Sequence, residues 1–167
     1  MTKLTLDAVN GMNREPFVEA LGGIFEHSPW VAEKSWEARP FRSRDELHEA
    51  MMGVVRDAGA ETIDRFLRAH PDLGTRLAVT DYSAAEQSGA GLDRLTPEEF
   101  ELLSTLNKEY VGKFGFPFIL AVRGKNKDDI IASMKERLPR GIEEEREEAL
   151  SQIRRITGFR LADLIEE

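Results

Sequence analysis

Apolar side chains recur along most of this chain at intervals of three and four residues, the spacing that gives a helix one apolar face. Phe100, Leu103, Leu106 and Tyr110 share such a face. Ile63, Phe66 and Leu67 share another, and His70 completes its i, i+3, i+4, i+7 series. A longer seam runs through Ile142, Ala149, Leu150, Ile153, Ile156 and Leu164. Start signals stand where these patterns begin. Ser28-Pro29 reads as an N-cap with proline at the first helical position. Ser43 to Glu46 and Thr96 to Glu99 read as capping boxes. Together the signals predict helices over roughly 14–25, 29–38, 44–57, 60–69, 84–89, 97–112, 127–137 and 142–165. The one run with strand character, Phe116 to Val122, is short, apolar and interrupted by Pro117. With no second run to pair with, it reads as a buried connection or the start of a short helix. The expected fold is all-α, a single compact domain over 1–167 of about eight helices with no significant sheet.

Composition narrows the function more than the fold. The length of 167 residues suits one domain that buries its own core. Lys and Arg number 23 against 31 Asp and Glu, a net charge of −8. That balance excludes a basic nucleic-acid footprint and a polybasic membrane patch. No run approaches the length of a membrane span, and the first ten residues lack the basic and apolar regions of a signal peptide, so a cytoplasmic location is expected. Cysteine is absent, which removes disulfides, thiolate catalysis and cysteine-ligated metals. The densest charge cluster, Lys135 to Glu148, reads as a solvated helix beginning with its acids near the positive helix end.

Candidate chemistry is sparse. His27, His48 and His70 form no HExxH or similar ligand pair, so no metal site is expected. Asp45 and His48 lie three apart on one helix face, which is weak grounds for a site. His70 closes an apolar face at a helix end, because Pro71 forces it out of helical geometry. There the helix dipole favours the protonated ring, although a core histidine bonded to a carbonyl fits the same position. Ser83-Ala84-Ala85-Glu86 matches a capping box, a helix start that need carry no chemistry. Arg160 falls near the centre of the last helix's seam. A guanidinium there needs an anion: a bound carboxylate, an internal Glu or Asp, or else a kink at Gly158 that turns it out. Asn107 near its own helix's buried face reads as a structural amide. Neither a phosphate loop, a dinucleotide fingerprint nor a nucleophile elbow is present. What remains is acid–base chemistry without a cofactor.

Four phrases then occur in order: Ala69-His70-Pro71-Asp72-Leu73-Gly74, Ser83-Ala84-Ala85-Glu86-Gln87-Ser88-Gly89-Ala90-Gly91-Leu92, Leu106-Asn107-Lys108-Glu109-Tyr110 and Lys113-Phe114-Gly115-Phe116-Pro117-Phe118-Ile119. With Ser28-Pro29-Trp30-Val31-Ala32, Arg39-Pro40-Phe41 and Arg160-Leu161 they resemble the 2-oxo-4-hydroxy-4-carboxy-5-ureidoimidazoline (OHCU) decarboxylases of urate degradation. The resemblance covers nearly the whole chain. It implies an all-helical enzyme that needs no cofactor or metal, is homodimeric, and converts OHCU to (S)-allantoin and carbon dioxide. It implies that His70 is the catalytic histidine, with Glu86 and Arg160 beside it in the reaction and Arg160 binding an anion. It further implies substrate contacts from Pro71, Ser83, Gln87 and the backbone of Phe118, Ile119, Leu120, Ala121 and Val122. Animal members often end in a peroxisomal tripeptide and this chain ends Ile165-Glu166-Glu167, which favours a cytosolic setting. Two other classes fit the composition: a helical interaction module with an exposed apolar groove, and a different cofactor-free lyase or isomerase acting on a small carboxylate.

Overall fold

The structure is a computed structural model that describes residues 3–71, 73 and 81–166. As expected, it is all-α. The helices are α1 (Leu6–Asn10), α2 (Arg14–Leu21), α3 (Trp30–Ser35), α4 (Arg44–Arg56), α5 (Ala60–Arg68), α6 (Asp81–Gly89), α7 (Pro97–Phe114), α8 (Lys127–Arg137) and α9 (Ile142–Leu164). A 3-10 turn, Trp36–Ala38, follows α3. Two-residue strands β1 (Leu4–Thr5) and β2 (Ile165–Glu166) pair in parallel, Leu4 opposite Ile165. The chain divides into two compact units, Met1–Ala69 with Arg154–Glu167, and His70–Ile153.

In the first unit α3 packs on α2 and α4. Its core holds Val9, Phe17, Leu21, Ile24, Phe25, Val31, Leu47, Met51, Val55 and Leu67, each almost without exposure. The Arg39-Pro40-Phe41 phrase is structural here. Phe41 exchanges two 2.8 Å hydrogen bonds with the Asn10 side chain, and Arg39 Nη1 donates to the carbonyls of Asn10 and Met12. In the second unit α7 packs on α8 around Leu103, Tyr110, Phe118, Ile130 and Met134. The α7 cap is the expected one: Thr96 accepts from Glu99 N and the Glu99 carboxylate accepts from Thr96 N. Asn126 and Asp129 make the same reciprocal cap on α8.

Several expected boundaries shift. Ser28 is no N-cap: buried, its hydroxyl donates to Glu26 O at 2.9 Å, because a buried donor must be used locally. The helix there begins at Trp30. Helix α6 spans Asp81–Gly89, so the Ser83 backbone lies inside the helix instead of capping it. Ile142, assigned to the α9 seam, is 43% exposed. Glu145, within the charge cluster expected to be solvated, has no exposure. At the other end of that cluster Arg137 is buried too. The apolar run after α7 is a buried connection. Gly115 closes α7 at φ 81, a left-handed conformation that side chains resist, and releases the chain into it. From Phe116 to Val122 every residue is buried.

Candidate active site

His70 stands where the sequence places it. Helix α5 ends at Arg68 with Ala69 as its cap, and His70 and Pro71 follow, both half-buried. The next described residue of this phrase is Leu73, whose carbonyl accepts from Asn107 Nδ2 at 2.9 Å. Asn107, 6% exposed on α7, thereby pins the segment three residues after His70. Its own Oδ1 is buried without a hydrogen-bond partner among the described residues. The expected structural amide is therefore half satisfied. Asp72 and Gly74 of the same phrase lie outside the described residues. On α6, Glu86 and Gln87 are half-buried, one turn before the helix ends at Gly89. The Ser83 backbone belongs to α6, and its side chain lies outside the described ones.

The connection from Phe118 to Val122 is held on one side by a polar network. Arg137 Nη1 donates to the Ile119 carbonyl at 2.8 Å, and its guanidinium lies 4.3 Å from the Phe118 ring centroid. Arg137 Nε also donates to Glu145 Oε1 at 2.8 Å. The same carboxylate oxygen accepts from the Tyr110 hydroxyl at 2.5 Å. Burial and the neighbouring Glu145 raise the Tyr110 hydroxyl above the usual phenol range, so it stays a donor. Arg140 Nη1 bridges Glu145 and Glu148 at 3.4 Å each. Gln152 donates to Glu148 at 3.1 Å, and its Oε1 accepts from Ala121 N at 3.0 Å. Around these groups Tyr110, Phe114, Phe116 and Phe118 form an aromatic cluster with centroids 4.5–6.1 Å apart.

Arg160 lies in the first unit, 3% exposed, as its seam position implied. Of the partners considered for it, the internal carboxylate is present. Arg160 Nη1 donates to Glu26 Oε1 at 3.2 Å and to Ile24 O at 3.0 Å, and Glu26 is 1% exposed. The other sequence-predicted site residues, His70, Pro71, Ser83, Glu86, Gln87 and Phe118 to Val122, all belong to the second unit. His27 is exposed on a turn, and His48 accepts or donates through Nε2 to Thr157 Oγ1 at 2.8 Å. Among the described residues no three His, Cys, Asp or Glu side chains group as metal ligands, and no helix is long and apolar enough to cross a membrane.

Sequence reading missed Arg137, Glu145 and Gln152. Their signal was available: Ile130, Met134 and Arg137 fall at i, i+4, i+7, and Glu145, Ala149 and Gln152 repeat that spacing on α9.

Known proteins resemble the chain along its whole length. The profile of a family described as OHCU decarboxylase matches residues 10–162. A 2-oxo-4-hydroxy-4-carboxy-5-ureidoimidazoline decarboxylase of Haloferax volcanii is 46% identical over 163 residues, covering 98% of this chain and 97% of that protein. Its counterpart in Halalkalicoccus jeotgali is 44% identical over 164 residues, covering 98% and 93%. A crystal structure of (S)-allantoin synthase superposes with a TM-score of 0.78 at 30% identity, covering 98% of this chain and 54% of that one.

Proposed function

Because the chain belongs to the OHCU decarboxylase family, we propose that it acts on OHCU through His70 and Glu86, in the second unit, and through Arg160. The reaction is the loss of carbon dioxide from OHCU to give (S)-allantoin, a step of urate degradation. The observation that carries this reading is the match at 44–46% identity over nearly the full length of two decarboxylases.

The chemistry fits the groups present. The leaving carboxylate of OHCU sits on a carbon beside a ring C=N bond. As the C–C bond breaks, its electron pair forms a C=C bond to the imine carbon and the C=N pair moves onto nitrogen, which takes up a proton. The hydroxyl of the resulting enol then loses its proton to become the ring carbonyl, and the neighbouring, former imine carbon takes up a proton on one face. The substrate is thus its own electron sink, and the protein's tasks are orientation, charge stabilisation and proton delivery. His70 at the end of α5 delivers the proton. Glu86 accepts hydrogen bonds from ring or ureido N–H groups, and Gln87 and Ser83 orient the ureido arm. Pro71 and the buried connection from Phe118 through Ile119, Leu120 and Ala121 to Val122 line the substrate and keep water away from it. Arg160 holds an anionic oxygen of the substrate. A homodimer and a cytoplasmic location belong to the same proposal.

The test is made in situ. Urate oxidase and hydroxyisourate hydrolase generate OHCU, the protein is added, and circular dichroism follows the product. Wild-type protein is expected to speed the appearance of optically active allantoin; decay at the spontaneous rate to racemate rejects the reading. His70→Ala is expected to lose at least about 100-fold in kcat with an unchanged melting curve. Near-normal turnover takes His70 out of the reaction.

A further inference from the structure

The connection from Phe118 to Val122 has no regular secondary structure, yet it is buried throughout: Phe118 0%, Ile119 3%, Leu120 6%, Ala121 2%, Val122 5%. Irregular buried backbone is unusual because every N–H and C=O removed from water needs a partner. Two of these groups have one from a side chain. The Ile119 carbonyl accepts from Arg137 and the Ala121 N–H donates to Gln152. Both side chains are themselves buried, at 4% and 8% exposure.

The two contacts are the ends of one path. From the Ile119 carbonyl it runs through Arg137 to Glu145, through Arg140 to Glu148, and through Gln152 back to Ala121 N. The anchors sit on different elements, Arg137 at the end of α8 and Gln152 well along α9. Their common target is a pair of peptide groups two residues apart. In a planar trans peptide the C=O and N–H point to opposite sides, so committing the Ile119 carbonyl and the Ala121 N–H to the network turns away from it the Leu120 N–H and C=O that share those two peptide units. Among the described residues neither the N–H nor the C=O of Leu120 has a hydrogen-bond partner.

We propose that Arg137 and Gln152 are positioning residues for the decarboxylation: they commit the Ile119 carbonyl and the Ala121 N–H to the protein and so fix the Leu120 peptide groups toward the substrate. The proposal rests on the assignment of this segment to the substrate made above. Neither side chain touches the reacting atoms. Each acts through the backbone, and Glu145, Arg140 and Glu148 hold the two anchors in register.

A purely structural network would, when weakened, lower the melting temperature and the active fraction but leave the KM of surviving enzyme unchanged. A positioning network moves KM. Gln152→Met keeps the length of the side chain and removes the acceptor, whereas Gln152→Glu combined with Glu148→Gln keeps an acceptor for Ala121 N and preserves a donor–acceptor pair between the two side chains. In the in situ assay, Gln152→Met is expected to raise KM about tenfold, the equivalent of one hydrogen bond at about 1.4 kcal/mol. The swapped double variant is expected to stay within about threefold of wild type, on the same reasoning that its acceptor remains. Arg137→Lys, which retains the charge but cannot serve Ile119 O and Glu145 together, is the second variant and is expected to follow Gln152→Met. Wild-type KM in Gln152→Met and Arg137→Lys overturns the proposal, as does an equal rise in Gln152→Met and in the swapped double variant. An inactive wild-type protein overturns the functional reading and this one with it; an active wild type with unmoved variants overturns this one alone.

Discussion

Each unit buries one arginine against one carboxylate and one backbone carbonyl, and the two are built differently. In the first unit Arg160 uses Nη1 for both Glu26 and Ile24 O, at 3.2 and 3.0 Å. In the second, Arg137 reaches Glu145 through Nε and Ile119 O through Nη1, both at 2.8 Å, and lies on the Phe118 ring. Glu145 also accepts from Tyr110 and meets Arg140, so its charge is shared among several donors. Two buried ions need good geometry and further hydrogen bonds before their attraction offsets lost hydration. The second pair makes the shorter bonds, to separate nitrogens, and leaves Arg137 Nη2 buried without a hydrogen-bond partner among the described residues. It is a brace tied into the backbone of the segment proposed above to line the substrate. Arg160 of the first pair is the arginine proposed above to hold an anionic oxygen of the substrate.

The largest effect that separates the two is on stability. Glu145→Leu leaves Arg137 buried without its carboxylate and the Tyr110 hydroxyl without its acceptor. Urea denaturation is expected to show a loss of about 3–5 kcal/mol, the usual result of breaking a buried pair, with the upper end reached because two donors are orphaned. Glu26→Leu is expected to cost less than Glu145→Leu. If Glu26→Leu costs as much or more, the contrast between brace and binding group is wrong.

A smaller effect comes from removing the first pair as a whole. Glu26→Leu with Arg160→Met deletes both charges and takes from the Ile24 carbonyl its arginine donor, about 1–3 kcal/mol. The double variant is therefore expected to be more stable than Glu26→Leu alone. Its kcat/KM, with KM raised, should report the loss of the anion-binding arginine in a folded protein. A stable double variant with wild-type KM would make Arg160 a structural ion like Arg137, and would remove it from the site.

The contrast also explains what the sequence disclosed and what it concealed. Periodicity and caps located most helices, and Thr96 with Glu99 proved to be the reciprocal cap that their spacing implies. His70 and Arg160 stood out because each is polar on a plainly apolar face. Arg137 and Glu145 did not, since each sits among other charges, where composition argues for solvent. Position argues the reverse: their spacing from Met134 and Ala149 puts them on the faces their helices bury. The path from Ile119 to Ala121 was illegible for another reason. It depends on which peptide groups of an irregular segment face α8 and α9, and no periodicity encodes that. Ser28 shows the limit of cap signals, because burial redirected its hydroxyl to Glu26 O.

His48 gives the smallest and most specific test, for it shows how the first unit treats a half-buried base that can discard its charge. The ring bonds Thr157 Oγ1 at 2.8 Å and lies so close to α9 that a Cβ on Gly158 would come within 3.3 Å of it. Burial lowers its pKa and the nearby Arg154 lowers it further, while Asp45 acts in the opposite direction. Arg154 is itself paired with Glu49. In the unfolded chain the ring takes a proton near its ordinary value of about 6.5, and in the folded protein only at lower pH. Between those two values the unfolded state binds more protons, so stability rises with pH there. The contribution is fully present above about pH 6.5 and declines as pH falls through the folded value. His48→Gln keeps an amide for Thr157 and removes the titration. Urea midpoints taken from pH 7.5 downward are therefore expected to fall more steeply for wild type than for the variant. Parallel curves would mean that the ring is protonated as easily inside the protein as outside, and that the first unit accommodates a half-buried cation at this position.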